Sequence, residues 1–316
     1  MKTSEIDMRD AFFDELYNIA MMDKQVVFLT ADMGAYSLGK FKKDLKSQYI
    51  NVGIAEQNMV SIAAGLALGG KIVFIYGIVP FVTLRCYEQI KVDLCCMNLP
   101  VTIIGVGAGY TYGSDGPTHH ATQDIAVMRV LPEITILNPS DAVMTAAFAR
   151  MAYKNPGPKY IRIERGKLPL IYNDRDNDFS DGLAEIRDGR DLTIIATGVM
   201  VHQAVMAAER LSGHSISAGV VDLYRLKPLN CEMLLKIIDK TRRVVTLEEN
   251  TIIGGIGSAV SEVLTDNRRG VPLKRIAIPD QHCFESAERE SLHALFNLDT
   301  DGIVKTILGE KYGPKN

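Results

Sequence analysis

The stretch Val101-Thr-Ile-Ile-Gly-Val-Gly-Ala-Gly-Tyr-Thr-Tyr-Gly-Ser-Asp-Gly-Pro-Thr-His-His120 decides the fold. Its first six residues form an apolar run without alternation, the pattern of a strand covered on both faces within a parallel sheet. The loop that follows holds four glycines, a proline and two histidines. A loop after a buried strand lies at a strand C-terminal end, where open α/β sheets bind ligands. The same residues also suit a glycine-rich connector with solvated histidines. Asp115 and His119 stand four residues apart with Pro117 between them, close enough to face one pocket if the loop folds back. Gly107-Ala-Gly109 lacks the third glycine of the dinucleotide fingerprint, which excludes nicotinamide binding here.

Outward from this strand, the pattern repeats. Runs 26–30, 72–76, 134–137 and 160–163 read as further buried strands. Helical periods fill the gaps at 53–68, 82–96 and 140–153, and Ser4–Asp7 resembles a capping box that opens a first helix. A second series alternates strands at 192–196, 217–223, 244–247 and 274–278 with helices near 199–211, 232–240 and 257–266. Between the series lies a stretch rich in Asp, Asn and Gly. The expected fold class is therefore α/β, two tandem open domains with mostly parallel sheets. Residues 1–172 form the first domain, 173–190 the linker and 191–316 the second domain.

Composition agrees with two domains, since 316 residues exceed the roughly 150 typical of one. A chain of this length buries about three quarters of its unfolded surface and needs no disulfide or metal to hold a core. The balance of 35 basic against 38 acidic residues, spread along the chain, disfavours nucleic-acid binding and a polybasic membrane surface. The longest mostly apolar stretch, 72–84, contains Gly77 and Pro80 and falls short of the ~18 residues of a spanning helix. The first residues, MKTSEIDMRDAFF, have no apolar core of a secretory signal. The five cysteines lack C-x-x-C spacing and lie mostly in apolar runs, as buried thiols of a cytoplasmic protein do. No metal-ligand set is expected within the chain.

The segment Asn51-Val-Gly-Ile-Ala-Glu-Gln-Asn-Met59 places Glu56 in the first turn of an otherwise apolar helix. Two readings stand. A carboxylate there is stabilised by the helix macrodipole, by ~0.3–1 kcal/mol when exposed. The apolar neighbours Met59, Val60, Ile62 and Ala63 instead suggest a buried helix start, where a carboxylate needs a hydrogen-bond donor. A ring nitrogen of a ligand would serve.

Taken together, GIAEQNM at 53–59, RCYEQIK at 85–91, GSDGPTHH at 113–120, MRVLPEITILNPSD at 128–141 and RIERG at 162–166 resemble the transketolase family. They match its pyrimidine-binding domain, and LEENTIIGGIGSAVSE at 247–262 is similar to its C-terminal domain, so the resemblance covers nearly the whole chain. The Gly-Asp-Gly motif with which that family holds the metal and diphosphate of thiamine diphosphate is missing. Ser114-Asp115-Gly116 with Asn138 is a superficial lookalike, placed by the resemblance in the substrate loop.

The resemblance implies one subunit of a split, thiamine-diphosphate-dependent transketolase. An N-terminal subunit carrying the Gly-Asp-Gly domain would hold Mg2+ or another divalent cation, with active sites between subunits and a heterotetramer containing a homodimer of this chain. The activity implied is transfer of a two-carbon ketol unit between a ketose and an aldose. Glu56 would pair with the pyrimidine ring and make the cofactor's amino group basic. Phe81, with Tyr76 as second choice, would stack on that ring. Asp115 and His119 would contact substrate hydroxyls or the carbonyl, with His119 also moving protons. His120 stands where relatives often carry Gln. Arg165 and Arg9 would bind a sugar phosphate; from the residues alone, Arg162 and Arg165 suit surface ion pairs with Glu164 equally well. Gly107 stands where relatives place a phosphate-binding His or Arg, which reduces the phosphate grip. Alternatives are a subunit like 1-deoxy-xylulose-5-phosphate synthase or a 2-oxoacid dehydrogenase β chain. Of another class is a non-catalytic assembly subunit, against which buried ionisable groups argue.

Overall fold

The computed structural model describes residues 3–173 and 177–312. They divide into two compact units. The first comprises residues up to Ala108, Val127–Phe179 and Arg225–Pro228; the second comprises Gly109–Ala126, Ser180–Tyr224 and the chain from Leu229. The chain therefore crosses between the units several times. The glycine-rich loop belongs to the second unit, although the strand that launches it belongs to the first.

In chain order the strands are β1 (Val26–Thr30), β2 (Tyr49–Asn51), β3 (Ile72–Ile78), β4 (Val101–Val106), β5 (Thr135–Leu137) and β6 (Lys159–Ile163). There follow β7 (Leu183–Arg187), β8 (Leu192–Ala196), β9 (Ala218–Leu223), β10 (Arg225–Lys227), β11 (Val244–Thr251) and β12 (Leu273–Ile278). The first unit carries a sheet ordered β10-β5-β6-β4-β3-β1-β2, parallel except for β10 at one edge. The second carries β12-β11-β8-β9-β7, parallel except for β7 at its edge. Both are the mostly parallel α/β sheets that the unalternating apolar runs predict, and β1, β4, β6, β8 and β9 are buried along their whole length.

Three strands escape the sequence reading: β2, β7 and β10. Each is short or polar and lies at a sheet edge, where one-sided burial removes the apolar run that betrays a central strand. β7 lies inside the stretch read as linker, whose residues 174–176 are outside the described residues.

Helix starts also differ. The first helix is Met8–Met22, and its N-cap is Asp7, whose side chain accepts from the Arg9 N–H at 2.9 Å. Ser4, read as the start of the capping box, instead closes a local turn with Ile6. The expected helix over 82–96 is broken into Val79–Val82, Tyr87–Gln89 and a π-helical turn, Ile90–Cys95. The break falls at 83–86, and the turn before it packs on Gly77 of β3, where a β-carbon would lie 2.4 Å from Val82 Cγ1. A glycine there lets the Val79–Val82 turn fold directly back on β3 and sets Phe81 at that strand's C-terminal end.

Among the described residues, no helix is long and apolar enough to cross a membrane. Nor does any group of three or more His, Cys, Asp or Glu side chains converge as a metal site would require.

Candidate functional site

Glu56 opens the helix Glu56–Leu68, preceded by Gly53 at φ 73° and by Ala55, which supplies no side-chain cap. The carboxylate therefore sits beside N–H groups at the positive end of the helix, with only 5% of the residue exposed. Arg85 Nη1 donates to its Oε2 at 2.7 Å. The Arg85 guanidinium also lies 4.2 Å from the centroid of the Phe81 ring. One half-exposed cation thus ties a buried carboxylate to an aromatic face. Under the pair, Cys86 is fully buried, and its thiol is pushed up to about 12 by desolvation and by the Glu56 charge. It is an inert packing group. Arg85 stands in the RCYEQIK motif, but its role depends on the fold-back after Gly77 and is not readable from spacing.

Tyr76 is wholly buried. Its ring meets Phe13 edge-on at 4.9 Å and Phe28 face to face at 6.2 Å, and its hydroxyl donates to the Gly34 carbonyl at 3.3 Å. The Arg9 guanidinium hydrogen-bonds to the same Tyr76 side chain and lies 3.7 Å from Asp10. Phe81 is only partly buried. Arg165 is exposed just beyond β6, its N–H donating to Glu164 Oε1 at 3.1 Å. Arg162 and Glu164, suited on sequence to a surface ion pair, are both buried. Gly107 holds φ 93° and donates its N–H to the Ile163 carbonyl, a conformation that disfavours any side chain at that position.

Asp115 and His119 lie in the second unit. Asp115 ends a single 3-10 turn, Gly113–Asp115, and is exposed. His119 is half-buried, hydrogen-bonded through Nδ1 to Thr118 Oγ1 at 3.0 Å, with Tyr112 edge-on at 6.2 Å. His120 is buried, and desolvation holds its pKa below the ordinary imidazole value. Its Nε2 lies 3.1 Å from the Gly113 carbonyl, which can only accept, so this nitrogen carries the proton.

The loop is anchored by a residue that sequence reading left without a role. Glu249, on β11, accepts from the Tyr110 N–H at 3.1 Å, Arg289 Nε at 2.9 Å and His293 Nε2 at 2.6 Å, while Arg289 Nη2 bonds its second oxygen. Burial alone would raise its pKa; the Arg289 and His293 charges and hydrogen bonds outweigh that and hold it well below the ordinary carboxylate range. Beside it Glu248 accepts from the Ile256 and Gly257 N–H groups at 2.8 Å each, capping the helix Ile256–Asp266. The only sequence signals were the LEEN run and the four-residue spacing of Arg289 and His293 on the helix Arg289–Leu295.

Comparison with known proteins identifies the family. Residues 4–170 match the model of the transketolase pyrimidine binding domain, and 182–303 that of the transketolase C-terminal domain. One of the subunits of an apulose-4-phosphate transketolase from Phocaeicola vulgatus is 40% identical over 98% of this chain and 98% of its own. A 6-deoxy-6-sulfo-D-fructose transketolase subunit from a Clostridium species is 37% identical over 96% and 94%. Among solved structures, a split gene transketolase described as an inactive beta4 tetramer superposes with a TM-score of 0.88 at 34% identity, covering 96% of this chain and 97% of that one. The chain belongs to the transketolase family, carrying its pyrimidine-binding and C-terminal domains.

Proposed function

We propose that this chain is the pyrimidine-side subunit of a split transketolase that moves a two-carbon ketol unit from a ketose to an aldose, sugar phosphates in the first instance, in the cytoplasm. Along the sequence we place the two family domains at 1–172 and 191–316 with 173–190 between them, while in space 109–126 and β7 pack with the second unit and 225–228 with the first. The observation that carries the reading is the Glu56–Arg85–Phe81 constellation: a buried carboxylate acceptor and an aromatic face, reached by one guanidinium. An acceptor for a ring nitrogen beside a stacking surface is what an aminopyrimidine requires, so these residues fit thiamine diphosphate. When bound, that cofactor supplies a carbon nucleophile able to carry the ketol unit.

Glu56 would hold the pyrimidine ring nitrogen by a hydrogen bond to its carboxylate, in a desolvated position where such a bond is strengthened. Phe81 supplies the stacking face; Tyr76, enclosed by Phe13 and Phe28, is the weaker choice. Arg85 orients Glu56 and braces Phe81. Asp115 and His119 bind substrate oxygens, and His119 takes the proton of a substrate hydroxyl or gives one to a carbonyl oxygen. Arg165, exposed beyond β6, and Arg9, at the start of the first helix, are the proposed phosphate ligands. With glycine at 107 the phosphate loses one ligand, which widens the range of substrate tails.

Mg2+ and the diphosphate belong to a partner subunit with a Gly-Asp-Gly domain, in a heterotetramer with two copies of each chain. The relatives' naming as subunits, and a beta4 tetramer described as inactive, support the need for a partner. The test is Glu56→Ala in the reconstituted complex. Transfer is expected to fall to background with the circular-dichroism spectrum intact; retention of most activity would remove Glu56 from the mechanism.

A further inference from the structure

Outside the Glu56 constellation, the second unit contains a buried charged cluster that no proposed chemical step uses. Glu249, Arg289 and His293 have side chains exposed by 1%, 15% and 5%. A buried ion pair needs only its two partners, yet one of the donors to Glu249 is the backbone N–H of Tyr110, 139 residues away in sequence. The neighbouring Gly109 sits at φ 54°, and a β-carbon there would come within 2.0 Å of Glu249 Oε2. The start of the glycine-rich loop is thus seated directly on the carboxylate.

The rest of the loop is held by the segment that bears Arg289 and His293. The Tyr110 ring stacks on Phe296 at 5.9 Å and receives the edge of His120 at 4.9 Å. His120 donates to the Gly113 carbonyl, and Ser286 Oγ donates to the Ser114 carbonyl at 3.0 Å. Gly113 packs so closely that a β-carbon would lie 2.4 Å from the Ala287 carbonyl oxygen. The loop is fixed at residues 109–110, 113–114 and 120, and the span between the last two of these points carries Asp115 and His119.

We infer that Glu249 is a positioning residue: with Arg289 and His293 it sets the loop that presents Asp115 and His119 to substrate. The inference rests on the proposed role of that loop. A four-donor carboxylate permits one geometry, and substrate-orienting groups lose effectiveness when displaced by about an ångström.

The test uses the complex reconstituted with the partner subunit and thiamine diphosphate. Glu249→Gln keeps the shape and one acceptor but removes the charge; Arg289→Lys keeps the charge but loses the fork, and Ser286→Ala releases only the middle of the loop. Backbone hydrogen exchange over residues 109–121 should accelerate about tenfold in Glu249→Gln, with an increase in substrate KM of about tenfold or more and cofactor affinity within about twofold of the parent. Arg289→Lys should fall between, and Ser286→Ala should show the smallest change in both readouts. If Glu249→Gln does not fold, the other two variants carry the test. Unchanged loop exchange overturns the inference whatever happens to KM, as does faster exchange with unchanged KM. If Asp115→Ala and His119→Ala also leave KM untouched, the substrate role of the loop fails rather than the clamp. A parent complex without ketol transfer defeats the proposed function, while the exchange measurement still reads the clamp.

Discussion

Glu56 and Glu249 are both buried carboxylates, one in each unit, and they are partnered in opposite ways. Among the described residues Glu56 takes one side-chain hydrogen bond, from an arginine whose side chain is 42% exposed. Glu249 takes at least four hydrogen bonds from three buried or nearly buried residues. A carboxylate offers about four acceptor positions, so the first retains capacity for a ligand and the second has none. Burial alone does not distinguish a reactive carboxylate from a structural one; the number and exposure of the donors do.

The contrast is broken most sharply by removing each carboxylate. Glu56→Ala should reduce ketol transfer by about 10²- to 10⁴-fold, the range of a lost proton-handling group, while thermal unfolding shifts little. Glu249→Ala should do the reverse in stability, costing about 3–5 kcal/mol because Arg289 and His293 are left as buried, uncompensated donors. Equal stability losses in the two variants, read by denaturant unfolding, would erase the distinction.

A smaller effect separates the donors. Arg85→Met removes the Glu56 hydrogen bond and the stack on Phe81 while keeping a long side chain. It should weaken thiamine diphosphate binding and transfer by about 1–3 kcal/mol, reduced by the partial exposure of the arginine. Unchanged binding in titration calorimetry would detach Arg85 from the site.

Acid titration gives the mildest contrast. The folded pKa of Glu249 is depressed, against the raising effect of its burial, by Arg289 and His293. Its contribution is therefore fully present above the unfolded value of about 4.3 and is lost as the pH falls from there toward the depressed folded value. Melting temperature should decline over that window, and Glu249→Gln should flatten the decline. An identical acid limb in the variant would mean that other carboxylates dominate it.

The central strands were legible because burial on both faces leaves unbroken apolar runs: β1, β4 and β8 begin and end where the sequence places them. β2, β7 and β10 were not, because an edge strand of three to five residues carries no such run. Glu56 was conspicuous as a lone charge on an apolar helix. Arg85 was visible as part of a motif, but its contact depends on the turn Val79–Val82 packing back on Gly77, which spacing does not encode. The bond from Tyr110 to Glu249 joins positions 139 residues apart, and nothing in either local sequence pairs the two. Tertiary partners decide such roles, and a single sequence records only the residues.

The most direct test of the account is native mass spectrometry of this chain with and without a Gly-Asp-Gly partner subunit, in thiamine diphosphate and Mg2+. The account predicts a complex of two copies of each chain with two bound cofactors, and no cofactor on this chain alone. Stoichiometric cofactor on the isolated chain, or a complex that assembles without any, would contradict it.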